Sequence, residues 1–462
     1  MERPYRLLIK NADWILTMDE QGTRYRHGDI LIEDSRIAEV GRNLIMEEPL
    51  DEIVDARGFI IIPGMVNTHH HCAHTIVRNL PHAFEMPLMQ TLKLIYARLP
   101  YFTLKSIYAA TLGGLGDLLK TGCTTSCDQH YAFPQGQDKM IDAQVTAARK
   151  LGIRFQAIRG SLSTGAEGGV SHVLPSLVEP LDKIVKDSVR LIEKYHDPSE
   201  GSMLRMGISP CWLVYEDRRV VEESRKIAEH YDVNLHSHLA DSREEFSFCK
   251  ERYGCTPVEY ADKMGYLQQR SFFAHCVQVT RSDIALLAKS KVGVSSCPNS
   301  DMLLNSSVSR ISELFRRGIN VSIGVDGAAS NNASSMISEV KNAFLIQKFI
   351  DKETTITPEK ILYMATAGGA KVLGRSDIGS LEEGKMADFV MLNWNKFQYA
   401  GGKYDPVSAI VLAGDPRMVE HVFVNGKRVV SGGCLTQIDE DEANEYINRQ
   451  TRLMIQRFQD EV

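Results

Sequence analysis

Little in this sequence marks it for a membrane, a nucleic acid or an oxidising compartment. No uninterrupted apolar run approaches the ~18 residues that a membrane-spanning helix needs. Basic residues are in slight deficit, 53 Lys and Arg against 59 Asp and Glu for a net charge of −6. The electrostatic surplus by which nucleic-acid and anionic-membrane binders hold their partners is therefore missing. The opening stretch MERPYRLLIKNADW lacks the basic, apolar and small-residue order of a secretory leader. The nine cysteines are odd in number, scattered and without a C-x-x-C pair; Cys123 and Cys127 in CTTSC have no second pair to complete a zinc-finger pattern. Reduced thiols in a cytoplasmic protein are the expectation.

What is present is the composition of an ordinary globular chain, 43% hydrophobic and 24% charged over 462 residues, which excludes disorder as the main theme. The length suits two or three domains, or one large barrel with an appendage. Both ends read as short β runs: LLIKNADWIL, DILIEDSRIAEV and FIIIPG at the start, and ADFVMLNW, EHVFVNG and KRVVSGG near the finish, with Asn425-Gly426 as a hairpin turn. Between them, eight apolar strands alternate with amphipathic helices: MVNTHHH, TTSCDQ, RFQAIRG, RMGISPC, NLHSHLA, FFAHCV, GVSSCP and NVSIGVDG. A doubly wound open sheet shares this alternation, but no G-x-G-x-x-G turn follows the first strand. The pattern predicts an α/β protein, a (β/α)8 TIM-like barrel over 64–373, with a small β-sandwich domain built from 1–63 and 374–435 and a helical segment over 436–462.

In such a barrel the chemistry lies at the C-terminal ends of the strands, and these strands end in polar residues. The first ends in Thr68-His69-His70-His71, the second in Asp128-Gln129-His130, the fifth in His236-Ser237-His238, the sixth in His275-Cys276 and the eighth in Asp326. Several histidines in one barrel core each cost desolvation unless paired or ligated; a shared site accounts for all of them. Residues i and i+2 of a strand face the same way, so His69 and His71 enter the barrel together while His70 turns away, and two imidazoles on one face suit a transition metal. Alone, H-x-H is as well explained by a hydrogen-bonded loop. His236 and His238 also share a face; His238, nearer the strand end, is the favoured ligand, and His236 is as readily structural. An Asp before a Gly commonly makes a turn, but Asp326 ends a barrel strand, where a carboxylate ligates metal or orients water. Arg78, Gln129, Trp212, Asn299 and Asn331 follow strand ends and are candidate contacts for a planar substrate, with aromatic stacking on Trp212. The alternatives for these are a surface ion pair, packing and turn formation.

The segments NTHHH at 67–71, HSHLAD at 236–241, FAHCV at 273–277, SCPNSDMLL at 296–304, GVDGAASNN at 324–332 and GSLEEGKMADFVML at 379–392 resemble the amidohydrolase superfamily over almost the whole chain. Within it they look like the cytosine-deaminase and triazine-hydrolase branch, nearest its 8-oxoguanine and isoxanthopterin deaminase-like members. The resemblance implies one divalent metal, zinc or iron, held by His69, His71, His238 and Asp326, with His275 at the metal-bound water. It implies attack of metal-bound hydroxide on the amine-bearing carbon of an N-heteroaromatic ring, an oxidised purine such as 8-oxoguanine or a pterin, with release of ammonia. The implied catalytic residues are Asp241, His275 and Asp326. One departure stands out: the family's His-x-x-Glu proton shuttle reads His238-Leu239-Ala240-Asp241 here, one methylene shorter. Two other readings accompany this one: a triazine-type hydrolase expelling chloride or an alkylamine, and a binding protein descended from such an enzyme. The expected partner is a small heteroaromatic molecule, with no nucleic acid or membrane, and a homo-oligomer is expected by the same resemblance.

Overall fold

The computed structural model describes residues 3–461 apart from 47, 87, 166, 167, 171, 305, 332 and 352–355. Eight parallel strands form the central sheet: β1 (Met65–Asn67), β2 (Cys123–His130), β3 (Arg154–Ser161), β4 (Leu204–Pro210), β5 (Asn234–Leu239), β6 (Ser271–His275), β7 (Gly293–Ser296) and β8 (Asn320–Ile323). They pair in chain order from β1 to β8. The ring closes at its mouth, where the Thr68 amide donates to the Ile323 carbonyl at 3.3 Å and His70–His71 runs parallel to Asp326–Gly327. All eight predicted strands are present. Each is followed by helix or helical turn, since strands buried on both faces must be covered on the outside.

Local chemistry sets the helix limits. Leu104–Lys120 begins at a reciprocal capping box between Thr103 and Ser106. Met140–Leu151 ends where Gly152 takes φ 73°, the left-handed stop that glycine adopts without steric cost. Among the described residues no helix is long and apolar enough to cross a membrane.

The chain ends meet in a second, nine-stranded sheet. Arg6–Leu16 pairs antiparallel with Arg24–Glu33. The returning strand Phe389–Asn393 lies antiparallel on Phe59–Pro63, the last strand before the barrel. Alternate residues supply a separate small core that includes Leu7, Ile9, Ile30, Ile32, Ile61, Phe389 and Phe423.

A buried ion pair joins this sheet to the barrel floor. Arg154 of β3 donates from Nε and Nη2 to the two carboxylate oxygens of Asp388 at 2.9 and 3.0 Å. Its Nη1 donates to the carbonyls of Gly201 and Ser202, and the Asn425 amide donates to Asp388 Oδ1 at 2.6 Å. Removing one member of such a pair leaves a buried charge without its counterion. Asp388→Ala is therefore expected to lower the unfolding free energy by ~3–5 kcal/mol, read as a fall in denaturant midpoint.

Candidate active site

The C-terminal ends of the barrel strands bring His69, His71, His238 and Asp326 together, with one potential ligand atom from each inside a 4.8 Å group. The backbone is unusual there. Ala240 (φ 51°), His275 (φ 72°), Cys276 (φ 50°) and Asp326 (φ 58°) all occupy the left-handed region without being glycine. Such conformations each cost ~1–3 kcal/mol and persist where the surrounding structure imposes them. Here they turn the chain ends of β5, β6 and β8 so that His275, Asp241 and Asp326 face the barrel axis.

Hydrogen bonds set which nitrogen of each imidazole is free. His71 Nδ1 lies 2.9 Å from the Gln129 carbonyl, and His238 Nδ1 lies 2.7 Å from the Cys211 carbonyl. A carbonyl only accepts, so both Nδ1 atoms carry the hydrogen. His69 reaches the same state through a relay. His236 Nδ1 donates to the Phe272 carbonyl at 2.9 Å, so its neutral ring presents a bare Nε2, and His69 Nδ1 donates to that atom at 2.8 Å. Burial lowers the pKa of His69, His236 and His238, the last to about 3, which keeps these rings neutral.

Three Nε2 lone pairs therefore converge. His71 and His238 Nε2 are 3.2 Å apart. Asp326 Oδ1 lies 3.5 Å from His69 Nε2 and 3.3 Å from His71 Nε2, and His69 Nε2 is buried without a hydrogen-bond partner among the described residues. Four electron-rich atoms without a donor among them repel one another, and a divalent cation satisfies all four at once. Three imidazoles and a carboxylate form the donor set of a zinc or iron site.

The remaining polar groups are oriented by partners of their own. Asp326 Oδ2 accepts from the hydroxyls of Ser300 and Ser330, which turns Oδ1 toward the histidines. His275 Nδ1 is 2.8 Å from Asp301 Oδ1. Burial opposes the charged imidazolium, but the hydrogen bond and charge of Asp301 outweigh it and raise the His275 pKa to about 9. Asp241 Oδ2 accepts from the Trp212 indole at 3.0 Å. The Asp241 amide donates to the buried Glu245 carboxylate at 2.7 Å. Apart from Glu245, these residues line a cavity of about 50 Å³ together with His74, Tyr131, Leu88, Leu92, Ile95 and Leu304. Tyr131 is held by a 2.9 Å hydrogen bond to His74.

The expected substrate contacts divide. Trp212 lines the cavity. Arg78 instead pairs with Asp117 at 3.0 Å, both side chains about a third or more exposed. Gln129 is buried beneath the site, donating to Ser209 Oγ at 2.5 Å. Asn299 bonds Ser338 and Asn342. Asn331 donates to the Val325 carbonyl and to Glu339, each at 2.6 Å. The two asparagines brace the helix Met336–Ile350 because buried amides go to the nearest acceptors. Sequence reasoning passed over Ser300 and Asp301, although SCPNSD directly follows β7, where the strand-end rule points to them. It also left open the role of His236, whose bond to His69 crosses from one strand to another.

His236→Phe keeps the ring that stacks on Phe272 with centroids 4.2 Å apart but removes the acceptor for His69 Nδ1–H. Such outer partners commonly account for ~10–100-fold in metal affinity. A loss of that size with an unchanged melting temperature is the expected result of a metal-competition titration; equal affinity would show that the relay has no part in binding.

Similarities to one family and to three known proteins join this geometry. Residues 60–429 match the amidohydrolase family. The chain is 37% identical over 415 residues to the 8-oxoguanine deaminase of Pseudomonas aeruginosa, an alignment covering 89% of this chain and 91% of that one. It is 31% identical over 476 residues to an isoxanthopterin deaminase from an unknown prokaryotic organism, covering 97% of each. The crystal structure of atrazine chlorohydrolase from Arthrobacter aurescens TC1 complexed with zinc superposes with a TM-score of 0.91 at 29% identity, covering 97% of this chain and 100% of that one.

Proposed function

The chain belongs to the amidohydrolase family, and from that premise we propose that it is a metal-dependent hydrolytic deaminase of an amino-substituted N-heteroaromatic ring, an oxidised purine of the 8-oxoguanine kind or a pterin. The observation that carries the reading is the convergence of three Nε2 lone pairs and Asp326 Oδ1 beside the Asp241 carboxylate in one buried cavity. His69, His71, His238 and Asp326 are the proposed ligands, and zinc is the proposed ion, as in the zinc-bound structural relative. Held by these four residues, a divalent ion would supply a water of lowered pKa, toward ~7, as a nucleophile at neutral pH.

The chain's own residues do the rest. His275, tied to Asp301 through Nδ1, has Nε2 left to donate to oxygen at the reacting carbon. Asp241 takes a proton from the attacking water and returns it to the ring nitrogen. The indole of Trp212 holds the Asp241 carboxylate in place through Oδ2. Trp212 and Tyr131, with ring centroids 6.4 Å apart, present aromatic surface to a planar ring. Leu88, Leu92 and Ile95, spaced along one face of the helix Leu88–Tyr96, cover the cavity and exclude water.

Ammonia release by the zinc-loaded protein tests the proposal across 8-oxoguanine, guanine, isoxanthopterin, pterin, cytosine and amino-triazines. Release from an oxidised purine or pterin supports it. The relationship to atrazine chlorohydrolase favours one competing reading, a hydrolase expelling chloride; chloride release from a chlorotriazine without ammonia from any amino ring would replace the deaminase assignment.

A further inference from the structure

Asp301 has a feature that its bond to His275 does not explain. It lies in the short helix Pro298–Leu303 after β7, is only 2% exposed and lines the cavity. Its Oδ1 accepts from His275 Nδ1, but its Oδ2 is buried with no hydrogen-bond partner among the described residues. A buried carboxylate oxygen without a donor is unfavourable. The fold tolerates it where a bound molecule supplies the missing donor. That molecule must therefore carry an N–H or O–H, and an N–H gaining positive charge meets the carboxylate best.

We propose that Asp301 Oδ2 accepts a hydrogen bond from the amine that leaves the ring and so selects an amine over a halide as leaving group. This rests on the deaminase reading above. In the overall reaction, water and the amino ring become the lactam and ammonia. A C–O bond forms at the ring carbon, and the C–N bond breaks with its electron pair going to nitrogen. Of the two water protons, one ends on the ring nitrogen and one on the departing amine. That second transfer makes the amine cationic just before the bond breaks, so a fixed carboxylate beside it acts more strongly on the transition state than on the bound substrate. Chloride carries no N–H and departs as an anion, which the same carboxylate repels. Asp301 thereby has two jobs on two oxygens: Oδ1 orients His275 and Oδ2 contacts the substrate.

The test compares wild type and Asp301→Asn, both zinc-loaded and matched for metal content and melting temperature. The substrates are 8-oxoguanine and the same ring with chlorine in place of the 2-amino group. Asparagine can keep a carbonyl oxygen for His275 while placing an NH2 group where Oδ2 stood. The expected result is a loss of kcat/KM on the amino ring that exceeds the loss on the chloro ring by ~10²–10³-fold, a size typical of removing one preorganised transition-state contact, the smaller loss shared by both rings reflecting the change at His275. Equal losses on both rings would reduce Asp301 to a positioning residue for His275, and no loss on either would remove it from the reaction; each overturns the proposal. A wild type that releases chloride and no ammonia would instead overturn the deaminase reading. Binding supplies a second readout in the Asp241→Asn background, where turnover is slowed by ~10²–10⁴-fold. Calorimetry there is expected to show 8-oxoguanine bound more tightly than 8-oxohypoxanthine, which lacks the amine, and the preference lost on adding Asp301→Asn. Equal binding of the two rings before that change would also overturn it.

Discussion

Replacing His238 by alanine is expected to abolish both metal binding and turnover, with metal content falling from about one ion per chain to near zero and activity by at least ~10⁴-fold. The size follows from the chemistry. A bound divalent ion brings the pKa of water from 15.7 to ~7, so without it the nucleophile is scarcer by many powers of ten at neutral pH. His238 is one of three imidazoles whose Nδ1 atoms are held by the Gln129 carbonyl, the Cys211 carbonyl and His236. Its loss leaves three donor groups at the site. Treatment with a chelator should reproduce the effect in the unaltered protein, and zinc should restore the unaltered protein but not the variant. Because binding to the folded state alone adds stability, the chelated protein should also melt lower. Metal content by atomic emission, ammonia release and thermal unfolding read the three quantities separately. Full activity after complete metal removal would sink the assignment of these residues.

Asp241→Asn is the second large effect. It is expected to lower kcat by ~10²–10⁴-fold, the range supplied by a positioned acid–base group, while metal content stays unchanged. An amide keeps the shape and can still accept from the Trp212 indole, but it cannot take a proton from water. Asp241→Glu tests whether the chain is built around the shorter acid. The Asp241 amide is pinned by Glu245 and the preceding Ala240 is in the left-handed region, so the backbone has little freedom to retreat and accommodate an added methylene. The glutamate variant is expected to be ~10–100-fold slower than the parent, the scale on which misplacement of about 1 Å acts. A glutamate variant faster than the parent would show that Asp241 is an impairment and not a fitted group.

The eight barrel strands were legible because each is a short apolar run bounded by turn residues, and the pairing order follows from their succession along the chain. The convergence of the four proposed ligands was also legible: His69 and His71 lie two apart, and His238 and Asp326 end other strands of the same ring. The substrate contacts were not. Arg78, Asn299 and Asn331 have the right chemistry and the right place after a strand, yet their side chains are committed to Asp117, Ser338 and Glu339. Nothing in a linear sequence tells a polar side chain facing a cavity from one bracing the next helix. Asp301 was missed for the converse reason. It reads as one polar residue in a helical turn until His275, from the neighbouring strand β6, is brought to its Oδ1.

The sequence by itself determined the barrel, the return of the chain ends into a common sheet and the kind of atoms at the strand ends, because these depend on local periodicity and on residue type. The tertiary structure decided which nitrogen of each histidine is bare, which oxygen of Asp326 and Asp301 is free, and how Asp241 is aimed. Those properties depend on hydrogen bonds between residues far apart in the chain, such as His69 to His236 and Trp212 to Asp241, and they exist only once the barrel has closed.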